Sequence, residues 1–313
     1  MLNLTKTQKI CIQYGFLLLL ICMTVYLVST TLDITLIPMI MKLVNKKFIF
    51  IGFLIMVLYI ILECTIINIL IKTIQKTKVR FLAVKIAMMG FYYNLVTPFA
   101  SGSQPMQIYA LNKYDINLSK SIAIVTNKTV LFQTVVTIYS AVIIFLNIEV
   151  LKNELPSMLV LMSIGMVMNI VSLLGGMLIV LTPNTMKIIV KVIVNILYRL
   201  NIFKSLNKKI HTINKFIDEY SYSIKLFIKN KKALCLSIIL TIIQLTVFFS
   251  ISYCVYKAFN LNGLSLFEVL SLQVFLYMSV SPIPTPGNVG ANEVAFLTIF
   301  ANVFPGNIIG YSV

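Results

Sequence analysis

Residues 281–293 read SPIPTPGNVGANE, with three prolines and two glycines. Apolar sequence runs into this stretch over Leu264–Val280 and out of it over Val294–Phe304. Neither flank reaches the about 20 residues that a helix needs to cross a bilayer. A loop between two crossing helices would have longer flanks, so the pattern predicts a hairpin of two half-helices broken inside the membrane. Irregular backbone is tolerated at that depth only where protein buries it or water reaches it. Broken helices of this kind often form substrate sites in transporters. The competing reading is a kink that serves structure alone.

The composition of the rest of the chain fits that setting. Of its 313 residues, 59% are hydrophobic and 11% charged, and the mean hydropathy is +0.96. This is too apolar for a soluble domain and predicts a single all-α polytopic membrane domain over residues 1–313. The apolar runs are long and do not alternate, which excludes an outer-membrane barrel. A formal net charge of +17 points to cytoplasmic loops and an anionic lipid surface, and nucleic acid is not expected as a partner. Cys11, Cys22, Cys64, Cys235 and Cys254 all fall in or beside apolar segments without metal-ligand spacing, so they read as packing residues. His211, the only histidine, lies in a basic loop. No metal site and no cofactor are expected.

Taken in order, Lys6 and Lys9 precede an apolar run over Ile10–Val28, read as a first crossing helix with the N-terminus in the cytoplasm. Its apolar core is too long for a signal peptide. Thr31–Lys47 is expected along the outer interface, and a second crossing helix over Phe48–Ile71 carries Glu63. A carboxylate there must face the bundle or a cavity; a hydrogen bond that only fixes helix packing is the alternative. Lys72, Lys76, Lys78 and Arg80 form a cytoplasmic loop. The apolar stretch Phe81–Thr97 is short and runs into a second Pro/Gly break bounded by Asn94 and Gln107, so Phe81–Leu111 is a second candidate hairpin. Crossing helices are expected over Lys120–Phe145, with Asn127, Lys128 and Gln133 inside, over Met158–Leu181, and over Ala233–Tyr256, which carries Gln244. The acidic loop Asn147–Ser157 suits the outside. Thr182–Lys232 is strongly basic, hence cytoplasmic, and its interleaved apolar residues predict amphipathic helices lying on anionic lipid.

The two candidate hairpins enter from opposite faces, each next to crossing helices. That is the pattern of an inverted repeat whose broken elements meet near the midplane. By the logic of the repeat a last crossing helix should follow residue 304, and the sequence given stops at Val313. The second half-helices begin near Gln104 and Asn288–Asn292, which would aim backbone N–H groups and positive dipole ends at the midplane. An anion such as a lipid phosphate fits that field, with Lys128 adding a full charge. Glu293, Glu63 and the amides of Asn94, Gln104, Gln107 and Asn292 could hold a polar or cationic head group. Gly102, Gly287 and Gly290 would allow close backbone approach.

These features resemble the membrane part of the lysylphosphatidylglycerol synthase/flippase family. The matching residues are Asn94, Thr97, Pro98, Gly102, Ser103, Gln104 and Pro105 in the first motif, Lys128 on the next helix, and Pro284–Gly290 with Glu293 in the last. The resemblance covers essentially the whole chain. Ser103 and Asn288 stand where members usually have glycine, and Gln104 and Gln107 where many have Glu and Arg. The resemblance implies a membrane phospholipid as ligand and a translocase that moves a modified anionic or aminoacylated phospholipid, such as lysyl-phosphatidylglycerol, between leaflets of the cell membrane. The substrate site expected on these readings is Asn94, Thr97, Gly102, Ser103, Gln104, Gln107, Lys128, Gly287, Asn288, Gly290, Asn292 and Glu293, with Glu63 and Gln244 as further candidates. The alternative is a lipid-modifying enzyme of the phosphatidylglycerol lysyltransferase type, or its membrane partner; a scaffold for such an enzyme is a third reading. Full-length relatives add a soluble transferase domain, for which the longest polar segment here, Thr182–Lys232, leaves no room. The sequence is compatible with a homo-oligomer and with a separate lipid-modifying enzyme as partner.

Overall fold

Among the described residues four helices are long and apolar enough to cross a membrane: Lys46–Ile74, Leu118–Leu146, Met158–Leu178 and Lys231–Ala258. They make the chain an all-α, multi-pass membrane protein. A computed structural model describes residues 37–77, 79–97, 101–149, 151, 155–182, 192, 207–285, 287–306 and 308–312. The expected first crossing helix, Ile10–Val28, lies outside the described residues, as does most of 182–206.

In chain order the elements are α1 (Ile37–Leu43), α2 (Lys46–Ile74), α3 (Leu82–Val96), α4 (Ser103–Lys113), α5 (Leu118–Leu146), α6 (Pro156–Leu181), α7 (Asn207–Lys229), α8 (Lys231–Phe249), α9 (Ile251–Ala258), α10 (Leu266–Val280), α11 (Ala291–Ile299) and α12 (Ile309–Ser312). The crossing helices outrun their apolar sequence by up to a turn because polar residues cap them. Asn45 Oδ1 accepts the Lys47 N–H at 3.1 Å, and Asn230 Oδ1 accepts the Ala233 N–H at 3.1 Å. Ser265 opens α10 with a reciprocal cap: its hydroxyl accepts the Glu268 N–H at 3.3 Å, and Glu268 accepts the Ser265 N–H at 2.7 Å.

The helices that flank the two Pro/Gly breaks are all too short to cross: α3 and α4, on either side of the first break, and α10 and α11, on either side of the second. Each pair packs together, α3 on α4 and α10 on α11. In addition, α3 rests on α2, α4 on α5, and α10 on α6 and α5. Gly165 of α6 faces Met278 of α10 so closely that a Cβ there would lie 1.9 Å from the Met278 carbonyl oxygen. Only glycine permits that helix contact.

The buried apolar residues form two clusters. One joins the second half of α2 (Ile66, Ile67, Leu70, Ile71) to α3, α4, the first half of α5 (Ala123, Ile124, Leu131) and α7. The other joins the second half of α5 (Val135, Val136, Ile143) to the end of α8, α10 and α11, and contains the stacked pair Phe296 and Phe300. Residues of α5 and α8 belong to both clusters, at opposite ends of each helix. Between the clusters, close to the middle of the crossing helices, lies a layer of polar side chains: Glu63 on α2, Lys128 and Gln133 on α5, Asn169 on α6 and Gln244 on α8.

One expected amphipathic segment is described in part. The sequence places the apolar face of the Thr182–Lys232 segment on lipid. Over α7 that face is turned to the protein: Ile217, Tyr220, Ile224 and Phe227 are buried against α5 and α2, and the Ser119 hydroxyl donates to Glu219 at 2.7 Å. The uncovered ends of α2 and α5 offer an apolar surface, and α7 supplies the matching stripe at helical spacing. Lys215, Lys225, Lys229, Lys231 and Lys232 stay exposed on the other side.

Candidate functional site

The polar layer opens into a cavity of about 380 Å³. Helical spacing brings its lining together. Lys128, Thr129, Phe132 and Gln133 share one face of α5; Gly90, Phe91 and Asn94 one face of α3; Ser103, Gln104 and Gln107 one face of α4. Tyr59 and Glu63 come from α2, Asn169 from α6, Leu245 and Phe248 from α8, and Tyr277, Ser281 and Asn288 from the second break and the helix leading into it. Residues from both Pro/Gly breaks therefore face one space.

Two charges line the cavity, and they meet. Lys128 forms an ion pair with Glu63 through Oε1, while the other carboxylate oxygen, Oε2, accepts from Gln244 Nε2 at 3.0 Å. Glu63 and Gln244 are buried and Lys128 is nearly so. A buried charge needs both a counter-ion and hydrogen bonds, and Glu63 has them. An amide relay runs alongside. Gln133 Nε2 donates to Asn169 Oδ1 at 2.7 Å, and Asn169 Nδ2 donates to Ser281 Oγ at 3.0 Å and to the Gly165 carbonyl at 2.8 Å. The relay ties α5 to α6 and α6 to the start of the second break. Among the described residues Asn94 Oδ1 is buried without a hydrogen-bond donor.

The breaks satisfy their own backbone and approach each other. At the first, the Thr97 hydroxyl donates to the Tyr93 carbonyl at 2.6 Å and accepts the Gly102 N–H at 2.8 Å, bridging the interruption. Gln107 Nε2 donates to the Ile86 carbonyl at 3.1 Å, holding α4 on α3. At the second break, Gly287 has φ +58° and Asn288 φ +59°. Both lie in the left-handed region, where asparagine is the side-chain residue best tolerated after glycine. A Cβ on Gly287 would sit 2.7 Å from the Leu95 carbonyl oxygen, so the second break rests directly on the end of α3. Glu293 accepts the Gly290 N–H at 2.6 Å, reaching back over the first turn of α11.

Of the residues singled out in the sequence, Asn94, Ser103, Gln104, Gln107, Lys128, Asn288 and Glu63 line the cavity. Gln244 stands behind Glu63 as its second partner. Thr97, Gly102 and Gly287 shape the two breaks, and Gly290, Asn292 and Glu293 lie at the start of α11, beyond the lining. Sequence reasoning did not select Tyr59, Gln133, Asn169, Tyr277 or Ser281. For Asn169 the signal was available: it is a lone amide near the middle of an otherwise apolar crossing helix. Among the described residues no three of His, Cys, Asp and Glu come together as metal ligands. The family model described as the lysylphosphatidylglycerol synthase TM region matches residues 12–312. No curated protein and no solved structure matches the chain.

Proposed function

Because the chain belongs to the lysylphosphatidylglycerol synthase TM-region family, we propose that it binds a phospholipid head group in the Glu63–Lys128 cavity and moves that lipid between leaflets. The observation that carries the reading is a polar, charged cavity at mid-helix height between two apolar cores, lined by residues from both Pro/Gly breaks. A bundle that only needed stability would fill that level with apolar side chains, since a buried ion pair is commonly no more stable than a packed hydrophobic replacement. We read α3–α4 and α10–α11 as half-helix hairpins that turn back inside the membrane, related as an inverted repeat. On this reading Gln104, Ser103, Gln107, Asn94 and Asn288 offer hydrogen bonds to the head group, and Lys128 offers charge to its phosphate. A modified or aminoacylated phospholipid is the substrate class in view, and the cell membrane the location.

Transfer of a fluorescent phospholipid in reconstituted vesicles tests this, read by a quencher confined to one side. The decisive variant replaces Glu63 and Lys128 together by Gln, so that neither charge is left buried alone. Transfer by the wild-type protein should exceed that by the double variant by about tenfold or more, equivalent to about 1.4 kcal/mol. Equal rates in the two, or no transfer by wild type, would remove the translocase reading.

A further inference from the structure

The cavity is electrically closed. Among the described residues its lining holds one carboxylate and one ammonium, Glu63 and Lys128, and they neutralise each other. In a poorly hydrated space a guest with a single charge must pull one partner out of the pair and leave the other without a counter-ion, which is costly. A guest with both charges meets no such obstacle. Its phosphate takes Lys128, its ammonium takes Glu63, and each protein charge exchanges one partner for another. Nor does the exchange disturb the carboxylate's remaining contact. Gln244 holds Glu63 through Oε2, while Lys128 occupies the Oε1 side, so the partner of Oε1 can exchange without breaking the Gln244 bond. The buried Asn94 Oδ1, which lacks a donor, gives an ammonium another acceptor on the same lining.

We infer that the site selects head groups carrying one phosphate and one ammonium, with the Glu63–Lys128 pair opening to exchange ions with the guest. The inference rests on the lipid-site reading above and narrows its substrate class: an aminoacylated phospholipid with one ammonium fits, and lysyl-phosphatidylglycerol, with two, does not. A head group with a phosphate alone strands Glu63. One with two ammonium groups brings a cation for which the described lining has no second carboxylate.

The test uses the full chain in nanodiscs made from equal parts of phosphatidylglycerol, phosphatidylethanolamine and lysyl-phosphatidylglycerol, which present these three charge patterns. Lipids retained on the purified protein are quantified by mass spectrometry. Phosphatidylethanolamine should be enriched over each of the other two by at least about tenfold, the lower bound expected for avoiding one unpaired buried charge. Glu63→Gln should shift the enrichment to phosphatidylglycerol, and Lys128→Gln should shift it to lysyl-phosphatidylglycerol. Should either single variant fail to fold, the exchanged pair Glu63→Lys with Lys128→Glu decides, since it keeps both charges: retained enrichment supports the inference and lost enrichment overturns it. Excess soluble glycerophosphoethanolamine should not displace the lipid; displacement would reassign the site to a free zwitterion and overturn the lipid source. Equal retention of all three lipids, unchanged in the variants, overturns the charge selection and leaves the lipid site standing. Retention of none overturns both.

Discussion

Gly165 sets a distance that no other residue can keep. A Cβ there would meet the Met278 carbonyl oxygen at 1.9 Å, and backbone cannot step aside as a flexible side chain can. Gly165→Ala should therefore part α6 from α10 and lower stability by about 1–3 kcal/mol, the usual cost of overpacking. Gly175, on the same helix, has nothing within 4 Å of where its Cβ would be, so Gly175→Ala is the control and should lose nothing. The unfolding midpoint in detergent reads both; equal midpoints would show that α6 and α10 adjust freely. Such contacts are not legible in a sequence, because the glycine and the carbonyl it accommodates are far apart along the chain. The charged residues were easier to find. Glu63 and Lys128 stand out as charges inside apolar runs, and that cost marks them wherever they pair. Their pairing with each other was hidden, since only the packing of α2 on α5 decides it. Glu293 shows the converse case. Its position after a Pro/Gly break invites a ligand role, and its carboxylate accepts the Gly290 N–H of its own helix turn.

At the scale of elements, the long helices and both interruptions follow from run length and from proline and glycine, which are local signals. The amphipathic α7 was legible as a helix with an apolar stripe. What the stripe covers depends on whether lipid or protein lies beneath, and periodicity is the same in both cases. Here Phe227 and Tyr220 are among the fully buried large side chains. Phe227→Ala should cost about 3–5 kcal/mol, as for a phenylalanine removed from a packed core. A helix resting on lipid would show almost no change in the unfolding midpoint of the detergent-purified protein, so an unchanged midpoint would restore the surface reading for α7. Replacing exposed Lys225 and Lys229 by Gln should leave that midpoint in place, because neither side chain takes part in the packing.

At the scale of the whole molecule, α5 is the ruler. It is 29 residues long, so its ends stand about 43 Å apart at 1.5 Å per residue, enough to cross a bilayer core. Its first turn holds α7, through the Ser119 hydrogen bond to Glu219, and its last turn leads to Asn147 and Glu149. Lys128 and Gln133 lie between, as do the two apolar clusters' meeting point and the cavity. If α5 crosses the membrane, α7 and Glu149 must lie on opposite sides and the cavity must lie inside the bilayer. Single cysteines at the exposed positions Lys225 and Glu149 test this in intact cells and in inverted vesicles, with the five native cysteines first replaced by Ala. A membrane-impermeant thiol reagent should label one position only in cells and the other only in inverted vesicles. Lys225 is expected on the cytoplasmic side, because basic segments are retained there. Labelling of both positions in the same preparation would mean that α5 does not cross. The cavity would then lie at a membrane face, where a polar head group is already hydrated, and nothing would remain for a translocating site to do.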